Sequence, residues 1–213
     1  MPARFELHGA ALSGPTCKVG LMLNLAGEPF DYVHVPLPEG AHKQPAYLAK
    51  QRYGQVPLLV DRNNGRHLCQ SAAILEYLSD MLGKFGGAAL DERLQAREWL
   101  YWDFDRLTPT IYRSRGIRKG FRKGGPELLD MYAAEAAAAL QFLDQHLAGR
   151  NWIVGEGATI ADIDIYGVIA YADDAAIDLA PYGNIKAWMQ RFEALPGFTS
   201  PHGMLPFQSR VAA

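Results

Sequence analysis

Ser13-Gly14-Pro15-Thr16 sets two hydroxyls at the spacing of a Cys-x-x-Cys redox pair. With no thiol at either position, the segment cannot close a disulfide of its own. It can instead steady the sulfur of a thiol brought in by a ligand. An ordinary thiol has a pKa near ~8.5, and each unit of lowering corresponds to about 1.4 kcal/mol in favour of the thiolate. Val19, Met22, Leu23 and Ala26 recur at helical spacing after Ser13, so this serine should stand just ahead of a helix N-terminus. The first amides there lack partners, and the helix dipole favours negative charge. Serine at such a position is also an ordinary helix cap, and that role competes with the chemical one. Cys17, one residue past the motif, is the rival nucleophile and is read as packing.

Two further spots carry chemistry. Val56-Pro57 opens a strand pattern, where a proline removes a ladder donor and suits a strand end or edge. Sequence does not distinguish cis from trans at this bond. Gln70-Ser71 stands before Ile74, Leu75, Leu78 and Leu82, again at helical spacing. Ser71 is expected to cap that helix. Its hydroxyl and amide, at the positive helix end, would receive a carboxylate while Gln70 holds a neighbouring polar group. The six histidines (8, 34, 42, 67, 146, 202) show no metal-ligand spacing, and no metal is expected.

These residues need elements to position them. Phe5 to His8 alternates as a strand, and Gly14-Pro15 breaks it. Phe30 to Val35 is a second strand, Pro36 to Gly40 a loop, and Gln44 to Tyr53 a short helix or helical turn. Val56 to Asp61 and His67 to Cys69 flank Asn63-Asn64-Gly65, a turn of the kind that joins hairpin strands. A βαβ half followed by a hairpin half is a thioredoxin-like layout. Lys84 to Ala89, glycine-rich and aperiodic, is the domain boundary. Beyond it everything is helical. One long helix starts at Asp91-Glu92 and should kink or break at Pro109, and an alanine-rich helix starts near Pro126. Thr159-Ile-Ala-Asp162 is a capping box ahead of another helix, and a last helix runs from about Asn184 to Leu195. The expected fold class is therefore an α/β thioredoxin-like N-terminal domain (1–82), a linker (83–90) and an all-α C-terminal helical bundle (91–213).

Composition narrows the function. With 49% hydrophobic and 21% charged residues over 213 positions, the chain reads as a soluble globular protein with room for two small domains. A net charge of −2 argues against a nucleic-acid partner. No apolar run is long enough for a membrane span, and the first residues show no signal peptide. Two cysteines, Cys17 and Cys69, point to a reducing compartment, with the cytoplasm as default.

Together these residues resemble a cytosolic glutathione transferase of the serine type, bacterial, zeta- or theta-like, and the resemblance covers nearly the whole chain. It rests on the Ser13-to-Val19 helix start, Gly54-Gln-Val-Pro57, the run from Leu68 to Leu78, and the Thr159-x-x-Asp162 segment in a helical second domain. The resemblance implies glutathione as co-substrate, with Ser13 hydrogen-bonding its sulfur. Val56, before Pro57, would pair through its backbone with the cysteinyl unit. Gln70 and Ser71 would hold the γ-glutamyl end, and His42 and Gln55 would reach the glycyl end, with Lys43 a solvated neighbour. Many relatives carry Asn-Pro where this chain has Arg52-Tyr53, and an acidic residue in the place of Gln70. Both departures bear on how tightly glutathione would be held.

The implied activity is addition of an activated glutathione thiolate to an electrophilic small molecule, a detoxification chemistry. Glutathione-dependent reduction, peroxide reduction, isomerisation or ether cleavage on the same fold, and a non-catalytic interaction module, are the alternatives. The second substrate is expected between the domains, against Tyr101, Phe104 and Tyr112. A homodimer is the expected assembly. Arg113, Arg115, Arg118, Lys119, Arg122 and Lys123 form a basic run, read either as a solvated helix end or as an attractor of anionic acceptors.

Overall fold

In the computed structural model residues 2–212 are described. Positions 1 and 213, the outer ends of the two expected domains, lie outside the described residues. The chain forms two compact units, one built from residues up to Gly83 plus the stretch from Pro196 onward, the other from Lys84–Leu195.

The first unit contains β1 (Phe5–Gly9), α1 (Gly14–Ala26), β2 (Phe30–His34), a 3₁₀ turn at Ala41–Lys43, and α2 (Pro45–Leu48). It continues through β3 (Leu58–Asp61), β4 (Arg66–Cys69) and α3 (Ser71–Leu82). The sheet order is β2-β1-β3-β4, with β1 and β2 parallel and the other pairs antiparallel. This is the thioredoxin-like arrangement. α1 is buried on nearly all sides, which is why its sequence is apolar around most of its circumference. The expected helix over Gln44 to Tyr53 is shorter, because Pro45 opens it and the chain after Leu48 turns into a loop. β3 starts at Leu58 rather than Val56, since Pro57 has no N–H for the ladder.

The residues from 196 onward were expected in the helical domain and instead complete the first unit. Tyr32 and Arg210 exchange both backbone hydrogen bonds, at 2.7 and 2.8 Å. The Ala212 amide donates to Asp31 at 2.9 Å, and the His34 amide donates to the Ser209 hydroxyl. Met204 and Leu205 are buried, with the Met204 terminal carbon 3.0 Å from where a Cβ on Gly20 would stand. Local apolar patterning did not reveal this return, because a strand edge recruits its cover through backbone pairing.

The second unit is all helical: α4 (Leu90–Trp102), a π-helical turn (Asp103–Leu107), α5 (Thr108–Arg118), α6 (Pro126–His146), α7 (Ile160–Ile169) and α8 (Gly183–Glu193). Of the expected linker, Gly83 closes α3 in the first unit, and 84–90 belong to the second, with a bond from the Ile160 amide to the Phe85 carbonyl. Pro109 stands at the start of α5, directly after the π-helical turn, and supplies no N–H to the carbonyls of that turn. The wider turn before it absorbs the break. Thr159 and Asp162 form the expected capping box on α7. No helix among the described residues is long and apolar enough to cross a membrane.

Candidate functional site

Strand register gathers the chemistry-bearing residues of the first unit at one end of its sheet. His8 lies opposite Leu58, and Leu58 opposite Cys69. One step beyond those pairs stand Gly9, Pro57 and Gln70, so α1 and α3 both start from the same sheet end. Such an end, with helix N-termini pointing at it, is where α/β sheets hold anionic ligands.

Ser13 is the N-cap of α1, and its hydroxyl oxygen accepts from the Thr16 amide at 3.3 Å. The capping role expected as a competitor is therefore present. It uses an oxygen lone pair and leaves the O–H free to donate. The residue is half-buried, within reach of solvent. Gly9, just before this turn, can only be glycine, because a Cβ there would meet the Thr16 side chain at 2.0 Å. Cys17 is 0% exposed, its sulfur 3.7 Å from both the Ala11 and Pro201 carbonyls, so it packs rather than reacts.

The Val56-Pro57 bond is cis. Around it, nearly every backbone polar group is engaged. The Gly54 carbonyl accepts from Lys43 Nζ at 2.7 Å, and the Gln55 carbonyl from the Tyr47 hydroxyl at 2.7 Å. Lys43, expected to be merely solvated, thus ties the loop. Gly54, at φ +56°, leaves no room for a side chain: a Cβ would stand 3.0 Å from Lys43 Nζ and 3.1 Å from the His42 carbonyl. Among the described residues, the amide and carbonyl of Val56 alone in this stretch of 54–57 both lack a partner.

Gln70, not Ser71, occupies the N-cap of α3, with φ 69° and no capping side-chain bond. The expectation that Ser71 caps the helix is corrected: it is the first helical residue. Its hydroxyl and the amides of Ser71, Ala72 and Ala73 have no partner among the described residues. The left-handed backbone at a non-glycine residue costs about 1–3 kcal/mol, and such outliers gather at ligand sites. The Gln70 side-chain amide donates to Gln55 Oε1 at 3.3 Å, bringing these two predicted residues together. His42 lies in the 3₁₀ turn with Nδ1 buried and unpartnered among the described residues. Burial, then the charge of Lys43, holds its pKa below the ordinary value and favours the neutral ring.

Residues 16–81 match the family described as Glutathione S-transferase, N-terminal domain, and residues 121–196 match Glutathione S-transferase, C-terminal domain. A glutathione S-transferase crystal structure from Pseudomonas fluorescens is 31% identical, covering 96% of this chain and 100% of that one at a TM-score of 0.88. This chain belongs to the glutathione S-transferase family. A second family member from Pseudomonas fluorescens, solved with two glutathione bound, is 26% identical at a TM-score of 0.82, covering 92% of this chain and 91% of its own. The disulfide-bond oxidoreductase YfcG of Escherichia coli is 27% identical, over 84% of this chain and 86% of that protein.

In the helical unit of this transferase-family chain the expected acceptor residues fall in different settings. Tyr101 and Phe104 are exposed, at 69% and 68%. Tyr112 is committed to packing, its hydroxyl donating to the Gly167 carbonyl at 2.8 Å and its ring set edge-on to Tyr171. Much of the basic run is structural as well. Arg115 and Lys119 both pair with Asp174, at 2.9 and 2.8 Å, and Arg118 donates to the Ala175 carbonyl. Those bonds fasten α5 to the 3₁₀ turn at Asp173–Ala175, so Arg115 is not an attractor of anionic acceptors. Asp103 is buried and accepts from the Thr108 hydroxyl at 2.8 Å. The residue that sequence reading missed at the sheet end is Gln51, buried under the Val56 loop. A glutamine in an otherwise polar loop carries no local signal of burial.

Proposed function

We propose that this chain is a serine-type glutathione transferase, bacterial, zeta- or theta-like, adding an activated glutathione thiolate to an electrophilic small molecule. The observation that carries this reading is Val56: its amide and carbonyl stand open where the neighbouring groups are bonded. A peptide-like ligand can pair with them as one more strand partner. In this reading glutathione's cysteinyl unit pairs with Val56 beside Pro57. Its γ-glutamyl carboxylate meets the open amides of α3 and the Ser71 hydroxyl, with Gln70 alongside. Its glycyl end reaches toward His42 and Gln55. Ser13 donates its hydroxyl proton to the sulfur while its oxygen keeps the cap.

The chemistry then follows. The thiol proton leaves to solvent, Ser13 and the helix end hold the thiolate, and the sulfur attacks the chlorine-bearing carbon of a chloronitrobenzene, forming a C–S bond as the C–Cl bond breaks and chloride leaves to solvent. Tyr101 and Phe104 are exposed apolar candidates for contact with that acceptor. Titrating native protein calorimetrically with glutathione tests the binding half, and absence of heat would overturn it. With a chloronitrobenzene acceptor, Ser13→Ala should lower turnover about 10²-fold or more, the scale of losing one donor to a developing anion. Unchanged turnover would remove Ser13 from the mechanism.

A second reading, glutathione-dependent disulfide reduction, is favoured by the similarity to the Escherichia coli oxidoreductase. There two glutathiones reduce one disulfide to two thiols and leave as oxidised glutathione. Hydroxyethyl disulfide in place of the chloronitrobenzene discriminates the two. Cys17→Ser should leave either activity within about twofold, since a buried packing thiol is inert. We also expect a cytoplasmic homodimer. Support for the dimer alone comes from the part-buried Trp102 and exposed Phe142 rings, 5.7 Å apart beside a cavity of about 350 Å³. Light scattering that returned a monomer would remove this part.

A further inference from the structure

The loop that displays Val56 is held from beneath by one buried side chain. Gln51 is 1% exposed. Its Oε1 accepts from the Tyr53 amide at 2.9 Å and the Gln55 amide at 3.3 Å, and its Nε2 donates to the Pro57 carbonyl at 3.4 Å. Its own carbonyl accepts from the Gly54 amide at 2.9 Å, and its amide donates to the Tyr47 carbonyl at 2.8 Å. One residue therefore bonds both flanks of Val56 and skips Val56 itself. Lys43 and Tyr47 hold the outward carbonyls of Gly54 and Gln55 in the same way.

We propose that Gln51 is a positioning residue for glutathione, fixing the backbone around Val56 so that its open amide and carbonyl meet the cysteinyl unit in register. The proposal rests on the glutathione-transferase reading above. The physical reason is preorganisation. The stretch between α2 and β3, without strand pairing of its own, would otherwise have to be ordered at the moment of binding, and that entropy would come out of the affinity. A buried amide with both an acceptor and a donor end is suited to this, because it pairs two N–H groups and one C=O of the loop at once. Gln51 does not touch the sulfur. It should therefore act equally on the bound ground state and the transition state, so that its loss raises KM and leaves kcat in place.

The test uses the full chain, glutathione and a chloronitrobenzene acceptor. Gln51→Met keeps the length and bulk of the side chain and removes both hydrogen-bonding ends. It should raise the calorimetric Kd and the KM for glutathione about tenfold, the scale of one to two lost hydrogen bonds, with kcat at saturating glutathione within about twofold. Gln51→Glu keeps the acceptor for the two amides and loses the donor to Pro57, and should fall between native and Gln51→Met. A purely structural role predicts a different split: a smaller active fraction, hence lower apparent kcat with KM and Kd unchanged. That result overturns the proposal, as does native-like glutathione affinity in folded Gln51→Met. If Gln51→Met does not fold, Gln51→Glu decides, and an unaltered Kd there is equally fatal. If native protein itself takes up no glutathione, the functional reading fails first and this proposal falls with it. Native binding with unmoved variants sinks the positioning role alone.

Discussion

In the proposed reading Ser13 carries two duties on one oxygen, and they can be separated. The lone pair that accepts from the Thr16 amide caps α1, whereas the proton is free for a ligand sulfur. Aspartate is as good an N-cap as serine but cannot donate, and its charge would repel a thiolate. Ser13→Asp should therefore keep the unfolding midpoint near that of the native protein and abolish turnover. Ser13→Ala should instead lose about 1 kcal/mol of stability together with its activity. Urea unfolding and steady-state kinetics on the two variants check this. A Ser13→Asp protein as active as native would show that the hydroxyl proton does nothing at the sulfur. Gln70 makes a related point about local cost. Its backbone is held in a region that glycine prefers, and the strain leaves the start of α3 open where a relaxed serine cap at Ser71 would have closed it.

Among the elements, α7 shows what a short sequence pattern can specify. Asp162 accepts from the Thr159 amide at 2.8 Å and the Thr159 hydroxyl at 3.2 Å, as its place in the box implies. It also accepts from the Ile153 amide at 3.0 Å and the indole of Trp188 at 2.8 Å, which no capping pattern foretells. The carboxylate thus ties the loop before α7 and the core tryptophan of α8 to one helix start. Removing it strands four donors in a buried place. Asp162→Ala is expected to destabilise the protein by about 3–5 kcal/mol, well beyond the ~1 kcal/mol of an ordinary cap. A denaturant series measures it, and a loss near 1 kcal/mol would mean the Ile153 and Trp188 bonds contribute little. The break between α4 and α5 is the converse case. Pro109 announces a disruption, but the wide turn over Asp103–Leu107, with Thr108 bonded back to Asp103, is a tertiary solution to it.

At the scale of the molecule, acid should be its weak side. Burial works to raise the Asp61 carboxyl, but hydrogen bonds from Arg4 and Tyr77 hold it below the usual range. The Ala212 amide, followed by Arg62, holds Asp31 low. His8 is also held below its ordinary value, chiefly by burial and against the pull of Glu6. A depressed carboxyl adds stability above its unfolded pKa, near ~3.9, and loses it as pH falls through the folded pKa. A depressed histidine likewise binds fewer protons folded than unfolded, so stability falls as pH drops below about 6.5. These three signs agree, whereas Asp162, pushed up by burial, works in the opposite direction. Unfolding midpoints should hold near neutrality, decline gently below about pH 6.5 and steeply below about pH 4. Asp31→Asn should flatten the acid limb, because it unlinks the returning tail from that titration. An acid limb identical to native would show that this anchor contributes nothing.

Much of this protein was legible in the sequence, for a common reason. The alternation of Phe5 to His8, the helical spacing after Ser13, the Asn-Gly turn and the Thr159-x-x-Asp162 box all act within one turn or one strand repeat. Their chemistry is complete once a few neighbours are known, so strands and helices followed from them, as did the place of Ser13 just ahead of α1. Tertiary structure decided whatever needed partners far along the chain. The return of residues 196–212 to cover β2 depends on backbone groups that look the same in every sequence. Gln51 became the anchor of the Val56 loop only when that loop closed over it. Arg115 and Lys119 were committed once Asp174 came within reach. A hydrogen bond or an ion pair is specified by geometry that forms last, and no spacing in the chain records it.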